Sequence, residues 1–493
     1  MSSITLFFIY LINQIFTSCQ SCITRFDVYD ECEHHLSLGC CTLGTAFVCS
    51  GVNVTNADNF ADEIPQTCAS LTIANTNKSF INDGDWKFLY NLTNLEQMSF
   101  NNHKISNLGN LKSIYLKDLV QLKLLSLSHG NLRIFPVEKF TNLLSLKYLS
   151  LNCNKLQSIG EGRWNFSLLI DLILSNNRIT AVRAEQLKGL ETLSKLDLSY
   201  NRISYFSSKV LDSMPNLRYL LLLSNRLVHV SDRGQQHTKL IFWGTSSNLF
   251  VSLKPFIFNG LKSLRTIDYS RNRIKEPPTV NSTNYVIPIL FLSLQFNLIE
   301  LLSPLFFDHF PELKGINVAS NRIRHIEENT FRSVSNLTSI AMHGNQIQTI
   351  PQQLFQHLEI LDIIELQHNR IQIIHPRVLH SLTTDVQLFI HHNPIVCDCQ
   401  AISLIQWLSR SAVSRVYFPT CQSPVKLQNR SLYNVQLPES CPNSTLMPAS
   451  TDVTPTSYRN PPMDQSTFIF IMAAFILVSA CVLCVYALYV THK

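Results

Sequence analysis

Four histidines, His343, His368, His391 and His392, come closest to a chemical constellation in this sequence, with Glu365 beside them. Imidazoles within reach of one another can ligate a metal ion, or can share a proton and respond to pH near neutrality. Solvated histidines with no joint role are the plainer reading, and neither a resident metal nor a cofactor is expected. The chain has no nucleophile motif, phosphate loop or zinc-hydrolase helix, so it is read as a non-enzyme.

Cysteine is the other reactive residue, and its distribution is uneven. Of 14 cysteines, seven fall between Cys19 and Cys68 and four between Cys397 and Cys441; Cys481 and Cys484 lie near the C-terminus, and Cys153 stands by itself. Clusters at the two ends of a long body suit disulfide-stapled segments in an oxidising compartment. A zinc reading of Cys397-x-Cys399 is weak, because Cys421 and Cys441 lack paired C-x-x-C geometry.

A repeat must position these residues. The stretches LSKLDLSYNRI (193–203), LRYLLLLSNRL (217–227), LKGINVASNRI (313–323) and LDIIELQHNRI (361–371) share the pattern LxxLxLxxNxL. Its asparagine recurs at 154, 177, 201, 225, 248, 272, 297, 321, 345, 369 and 393, in steps of 23 to 25 residues. Three looser units place Thr76, His103 and Gly130 in that slot, for fourteen units in all. Alternation in L-x-L gives each unit a short strand with one apolar face, which no unit can bury by itself. Stacked units bury their leucines in a continuous parallel-sheet core, and each asparagine amide can satisfy backbone groups at the turns. Fourteen strands at about 4.8 Å give a sheet on the order of 65 Å long.

The pattern resembles the extracellular leucine-rich-repeat family, over about four-fifths of the chain. The resemblance implies an α/β repeat fold: a leucine-rich-repeat solenoid, a curved horseshoe with a parallel sheet on its concave face, disulfide caps and one transmembrane helix. The residues NPIVCDCQ, Trp407, Cys421 and Cys441 match the C-terminal cap of that family, which implies Cys397 with Cys421 and Cys399 with Cys441. The N-terminal cap leaves Cys22, Cys32, Cys40, Cys41, Cys49 and Cys68 with fifteen possible connectivities. Cys153 has no evident partner; a thiol protected by the repeat and an intermolecular disulfide are both open.

On such a sheet the variable strand positions line up across units. Tyr148, Ile173, Tyr219, Leu221, Leu223, Phe242 and Phe291 fall on outward positions, and outward aromatics and leucines mark a partner site unless glycans or irregular units cover them. The histidine group falls on three successive strands near the C-terminal cap. A basic series follows the asparagine slot, Lys104, Lys155, Arg178, Arg202, Arg226, Arg273, Arg322 and Arg370; it forms an edge stripe suited to sulfated glycans or an acidic ligand, or is a row of solvated side chains.

The flanks suggest a membrane protein facing outward. A short apolar run from Ile4 to Phe16 reads as a secretory signal, although no basic residue precedes it. The expected organisation is signal peptide 1–18, N-terminal cysteine cap 19–70, leucine-rich repeats 71–396, C-terminal cysteine cap 397–441, stalk 442–466, transmembrane helix 467–490 and cytoplasmic tail 491–493. In the stalk 13 of 25 residues are Ser, Thr or Pro, and the apolar run Phe468–Val490 is long enough to span a bilayer. The same tail also fits a lipid-anchor signal. N-glycosylation sequons begin at Asn53, Asn77, Asn91, Asn165, Asn281, Asn336, Asn429 and Asn443, all before the span. The net charge of +6 is interspersed, with no basic block of the kind nucleic-acid binding requires.

The repeat body also resembles the ectodomains of Toll-type receptors, without their cytoplasmic signalling domain. The expected function is that of a plasma-membrane glycoprotein binding a protein ligand, or a co-receptor in the membrane, through its concave face, with a homo-oligomer also open. Recognition, adhesion and co-receptor roles fit. An innate-immune accessory or decoy receptor, and a secreted or matrix-associated binding protein, are the alternatives.

Overall fold

The computed structural model describes the strands at 33–35, 40–43 and 46–50, residues 64–74, and residues 86–435 and 441, except 161–163, 231–238, 259, 277–285, 384–385 and 411–417. The expected signal peptide, stalk, span and tail, Cys22 and Cys32, Thr76, and the sequons at Asn53, Asn77, Asn281 and Asn443 lie outside the described residues. The chain divides into two units, and the fold below belongs to the one formed by Glu33–Ser444.

Seventeen strands join in one sheet among the described residues. Glu33–His35, Cys40–Leu43 and Ala46–Ser50 pair antiparallel in sequence order, and from Ala46–Ser50 onward every neighbour is parallel, ending at Gln387–Phe389. Pairing is in register: Lys195, Leu196 and Asp197 sit beside Tyr219, Leu220 and Leu221, which sit beside Phe242, Trp243 and Gly244. The middle residue of each triplet points inward, so Leu172, Leu196, Leu220, Ile267 and Leu292 are all buried. The flanking two point outward, as a two-residue side-chain period requires.

Each strand ends in a turn with a fixed conformation. The residue before the slot adopts φ between 52° and 67° in thirteen successive units, from Asn102 and His129 through Phe296 and Ser320 to Gly344, His368 and His392. In twelve of them, from Asn102 to His368, its N–H donates to a carbonyl of the next unit, as Tyr200 does to Leu223 at 2.7 Å. The slot asparagine then locks the turn. Asn225 Nδ2 donates to the carbonyls of Leu198, Leu222 and Leu223 at 3.0 to 3.2 Å, and its Oδ1 accepts from Ile203 N–H at 2.9 Å. Two of these partners belong to the preceding unit, so each buried amide ties two coils together; Asn154 and Asn393 make bonds of the same kind.

The return side differs from the α/β expectation. It is built from short 3₁₀ turns such as Val137–Phe140, Pro255–Phe258 and Pro304–Phe306, and the described α-helices are Pro376–His380 and Ile402–Arg410. A 3₁₀ turn rises about 2.0 Å per residue against 1.5 Å for an α-helix, so it spans the return in a unit only 23 to 25 residues long. Phe140, Phe258 and Phe331 fill this side and are buried. Aromatic contacts join neighbouring units, as between Phe331 and Phe355 at 6.4 Å.

At the C-terminal end the expected bridges are present, Cys397–Cys421 and Cys399–Cys441. Between them the helix Ile402–Arg410 buries Leu404, Trp407 and Leu408 over the last repeat. At the N-terminal end Cys49 is disulfide-bonded, whereas Cys68 is a buried free thiol whose Sγ donates to the Ser70 carbonyl at 3.3 Å. Cys68 therefore leaves the set of cap cysteines open to pairing, and burial raises its pKa, against the backbone contacts of Ser70 and Phe47. Among the described residues no helix is long and apolar enough to cross a membrane.

Candidate binding face

Register turns the outward residues into columns that run across the sheet. One column reads Tyr148, Asp171, Lys195, Tyr219, Phe242, Thr266 and Phe291; the next reads Ser150, Ile173, Asp197, Leu221, Gly244, Asp268 and Ser293. Of the seven apolar residues expected here, all lie on the outward face and they are presented to different degrees. Tyr148 is 42% exposed, and Ile173, Tyr219, Leu221, Leu223 and Phe291 are half-buried. Phe242 is only 8% exposed. Its ring lies over Gly244, where a Cβ would come within 2.7 Å of Phe242 Cε1, and Phe291 lies over Gly315 in the same way, also at 2.7 Å. Two glycines thus let two aromatic rings lie flat on the sheet.

Charge is interleaved with this apolar surface. Asp171 and Lys195 are register partners and both are buried, as is Asp197, whose Oδ1 accepts from Ser199 N–H at 2.9 Å. Burial raises the pKa of Asp171, and the Lys195 ammonium opposes the rise. Asp268 is likewise raised by burial and held back by the N–H and hydroxyl of Ser270 and by the hydroxyls of Ser246 and Ser293. Burial also raises the Tyr219 phenol, with Arg218 opposing and Asp171 reinforcing. Nothing in the composition singled out these carboxylates; their column positions, beside the aromatics, were the available signal. Toward the N-terminus the face becomes small and polar, with hydroxyl contacts Ser126–Ser128 at 2.8 Å and Ser128–Ser150 at 3.2 Å.

At the other end the histidines converge. His368 and His392 occupy the left-handed position of consecutive units and stack with centroids 4.4 Å apart, while His391 meets His392 edge to face at 5.0 Å. Nitrogens of these three rings all lie within 4.8 Å of one another. His343 stands one unit away, its Nδ1 2.8 Å from Oε2 of the buried Glu365. Burial lowers the pKa of His368, with His392 and His343 adding repulsion; burial also lowers that of His391, reinforced by His392 and His368. Of the basic series, seven members are exposed and Lys155 is half-buried, along one edge of the sheet.

Comparison with known proteins bears on the repeat first. The family model described as leucine rich repeat matches residues 167–227, 291–347 and 335–395. Human Toll-like receptor 8 is 32% identical over 202 residues, a span of 40% of this chain and 19% of that receptor. Residues 167–227 and 291–395 are therefore leucine-rich repeats, and part of the repeat body is similar to that receptor. Its match spans about a fifth of the length of that receptor. Among solved structures, a leucine-rich-repeat protein of Leptospira interrogans shares the fold with a TM-score of 0.50 at 21% identity, over 70% of this chain and 89% of that one. A chain of the Drosophila Toll–Spatzle complex does so with a TM-score of 0.50 at 14% identity, over 80% of this chain and 72% of that one.

In leucine-rich-repeat terms the described sequons lie off the strand face. Asn91, Asn165, Asn336 and Asn429 are exposed in the connecting segments and the cap. Cys153 sits at a left-handed turn, half-buried, with Asn152 Nδ2 3.7 Å from its Sγ.

Proposed function

We propose that this leucine-rich-repeat body is the ligand-binding ectodomain of a receptor-type protein, and that it takes a protein ligand on the middle of its outward face. The observation that carries the reading is the set of partly exposed apolar side chains Tyr148, Ile173, Tyr219, Leu221, Leu223 and Phe291, which share the outward face and are interspersed with charged residues. Large apolar side chains in the centre of a surface and rimmed by polar groups have the make-up of a binding hot spot. Asp171, Lys195, Asp197 and Asp268 beside them supply register by charge, which sets partner choice more than affinity. The presence of a Toll–Spatzle complex among solved structures of this fold agrees with a protein ligand.

The same reading places the protein outside the cell, anchored at the plasma membrane through 467–490 or through a lipid that replaces it, and glycosylated at its sequons. A co-receptor in the membrane, or a second copy of the chain, is a further partner in this reading. The test is partner capture: the full chain is displayed on cells, bound proteins are cross-linked and identified, and Tyr219→Asp and Leu221→Asp are compared with the parent. Loss of the captured protein in both variants, at unchanged surface level, is the expected result. Capture that persists in both would remove the apolar centre as the site, and capture of the chain by itself alone would favour adhesion.

A further inference from the structure

We infer that His368, His391 and His392 form a binding site for a single divalent transition-metal ion of the zinc class. Three imidazoles from two consecutive coils present nitrogens within 4.8 Å of one another. The convergence is built into the backbone. His368 and His392 share one turn position with φ of 58° and 56°, and His368 N–H donates to the His391 carbonyl at 3.3 Å, so the three Cα atoms are held by the repeat register.

The donor set selects the ion. Imidazole nitrogens suit Zn²⁺, Cu²⁺ and Ni²⁺, whereas Ca²⁺ and Mg²⁺ require oxygen ligands that this trio lacks. A tetrahedral zinc site has Zn–N of about 2.0–2.1 Å, which puts ligand nitrogens roughly 3.3 Å apart. His368 and His392 are exposed, which leaves room for their rings to turn toward a shared ion. Three protein ligands leave one coordination position open, as in metal sites that accept an exchangeable fourth ligand. The His343–Glu365 pair flanks the trio.

The probe is Zn²⁺ itself, added to the full chain prepared without a polyhistidine tag, with Co²⁺ as the spectroscopic substitute. Calorimetry is expected to give one ion per chain, and Co²⁺ to give visible bands of a four-coordinate site. His368→Asn and His392→Asn keep a residue that tolerates the left-handed turn. Each is expected to weaken binding by more than about 100-fold, the most that loss of a supporting partner alone produces. His343→Ala, outside the trio, should cost about tenfold or less. Thermal unfolding without metal should be the same for parent and variants, and Zn²⁺ should raise it in the parent and in His343→Ala but far less in the two asparagine variants. No stoichiometric binding, or equal affinity in the parent and in both asparagine variants, would overturn the assignment.

Discussion

From Asn154 onward each coil closes on an asparagine, whereas the two coils before it close on His103 and Gly130, and the contrast shows what the slot demands. Asn154 Oδ1 accepts from Leu132 N–H at 3.0 Å in the coil before it, while its Nδ2 donates to Leu127, Leu151 and Asn152. Glycine at 130 can do neither. The imidazole of His103 does the work instead: its Nδ1 accepts from Ile105 N–H at 3.2 Å, the bond that an asparagine at 130 would have accepted. The ring occupies the space of the missing side chain, since a Cβ on Gly130 would lie 1.9 Å from His103 Cε1. The requirement is therefore for a polar group between the coils, and either coil can supply it.

Breaking the asparagine side of this comparison should have the largest effect. Asn225→Ala removes four hydrogen bonds, three of them buried, and leaves their backbone partners without the amide, at a cost of about 4 kcal/mol. Denaturant unfolding measures the loss, and hydrogen exchange should place it in the strands Lys195–Asp197 and Tyr219–Leu221.

A smaller effect is expected where glycine makes room. Gly130→Asn alone forces a side chain into the His103 ring and should cost about 3 kcal/mol through overpacking. Combined with His103→Asn it should recover most of that loss, because the double variant rebuilds the ordinary ladder. Additive losses in the double variant would show that the two residues do not share one space.

The smallest effect concerns pH. Burial lowers the His103 pKa to about 4, with the Leu127 carbonyl acting against the lowering and His129 adding repulsion. The ordinary value lies near 6.5, so between the two values the unfolded chain holds the extra proton and folding stability rises with pH. The contribution is fully present above pH 6.5 and is lost as pH falls toward 4. It amounts to about 2 kcal/mol between pH 7 and pH 5. His103→Asn should flatten this part of the stability profile, which chemical denaturation at stepped pH would reveal as a difference from the parent.

The repeat was legible in sequence because the interior is periodic: a leucine every second strand position and an asparagine every 23 to 25 residues leave no other register. The outward columns followed from the same register, which is why the four histidines and seven apolar residues could be placed on one face. What the sequence did not reveal depends on pairs far apart along the chain. His103 and Gly130 each look like a lapse in the pattern until the ring of one is seen in the space of the other. Phe242 looks like an exposed anchor until Gly244 is seen to let it lie flat. Cys68 falls in the cap by spacing, yet its Sγ is spent on the Ser70 carbonyl. The 3₁₀ return was missed because leucine periodicity reports burial and is silent about helix pitch.

The left-handed turn before each slot has a bearing on how this surface can change. None of its thirteen residues is β-branched, as the backbone requires, but they otherwise range over Asn, His, Cys, Tyr, Ser, Arg, Phe and Gly. Because the interior takes nothing from their side chains, the row behaves like a line of pegs set one strand spacing apart. Neighbouring pegs meet: the Arg271 guanidinium lies 4.2 Å from the centre of the Phe296 ring, and His368 stacks on His392. A single substitution along this row can therefore create or erase a two-residue contact of fixed geometry while the fold beneath it stays as it was.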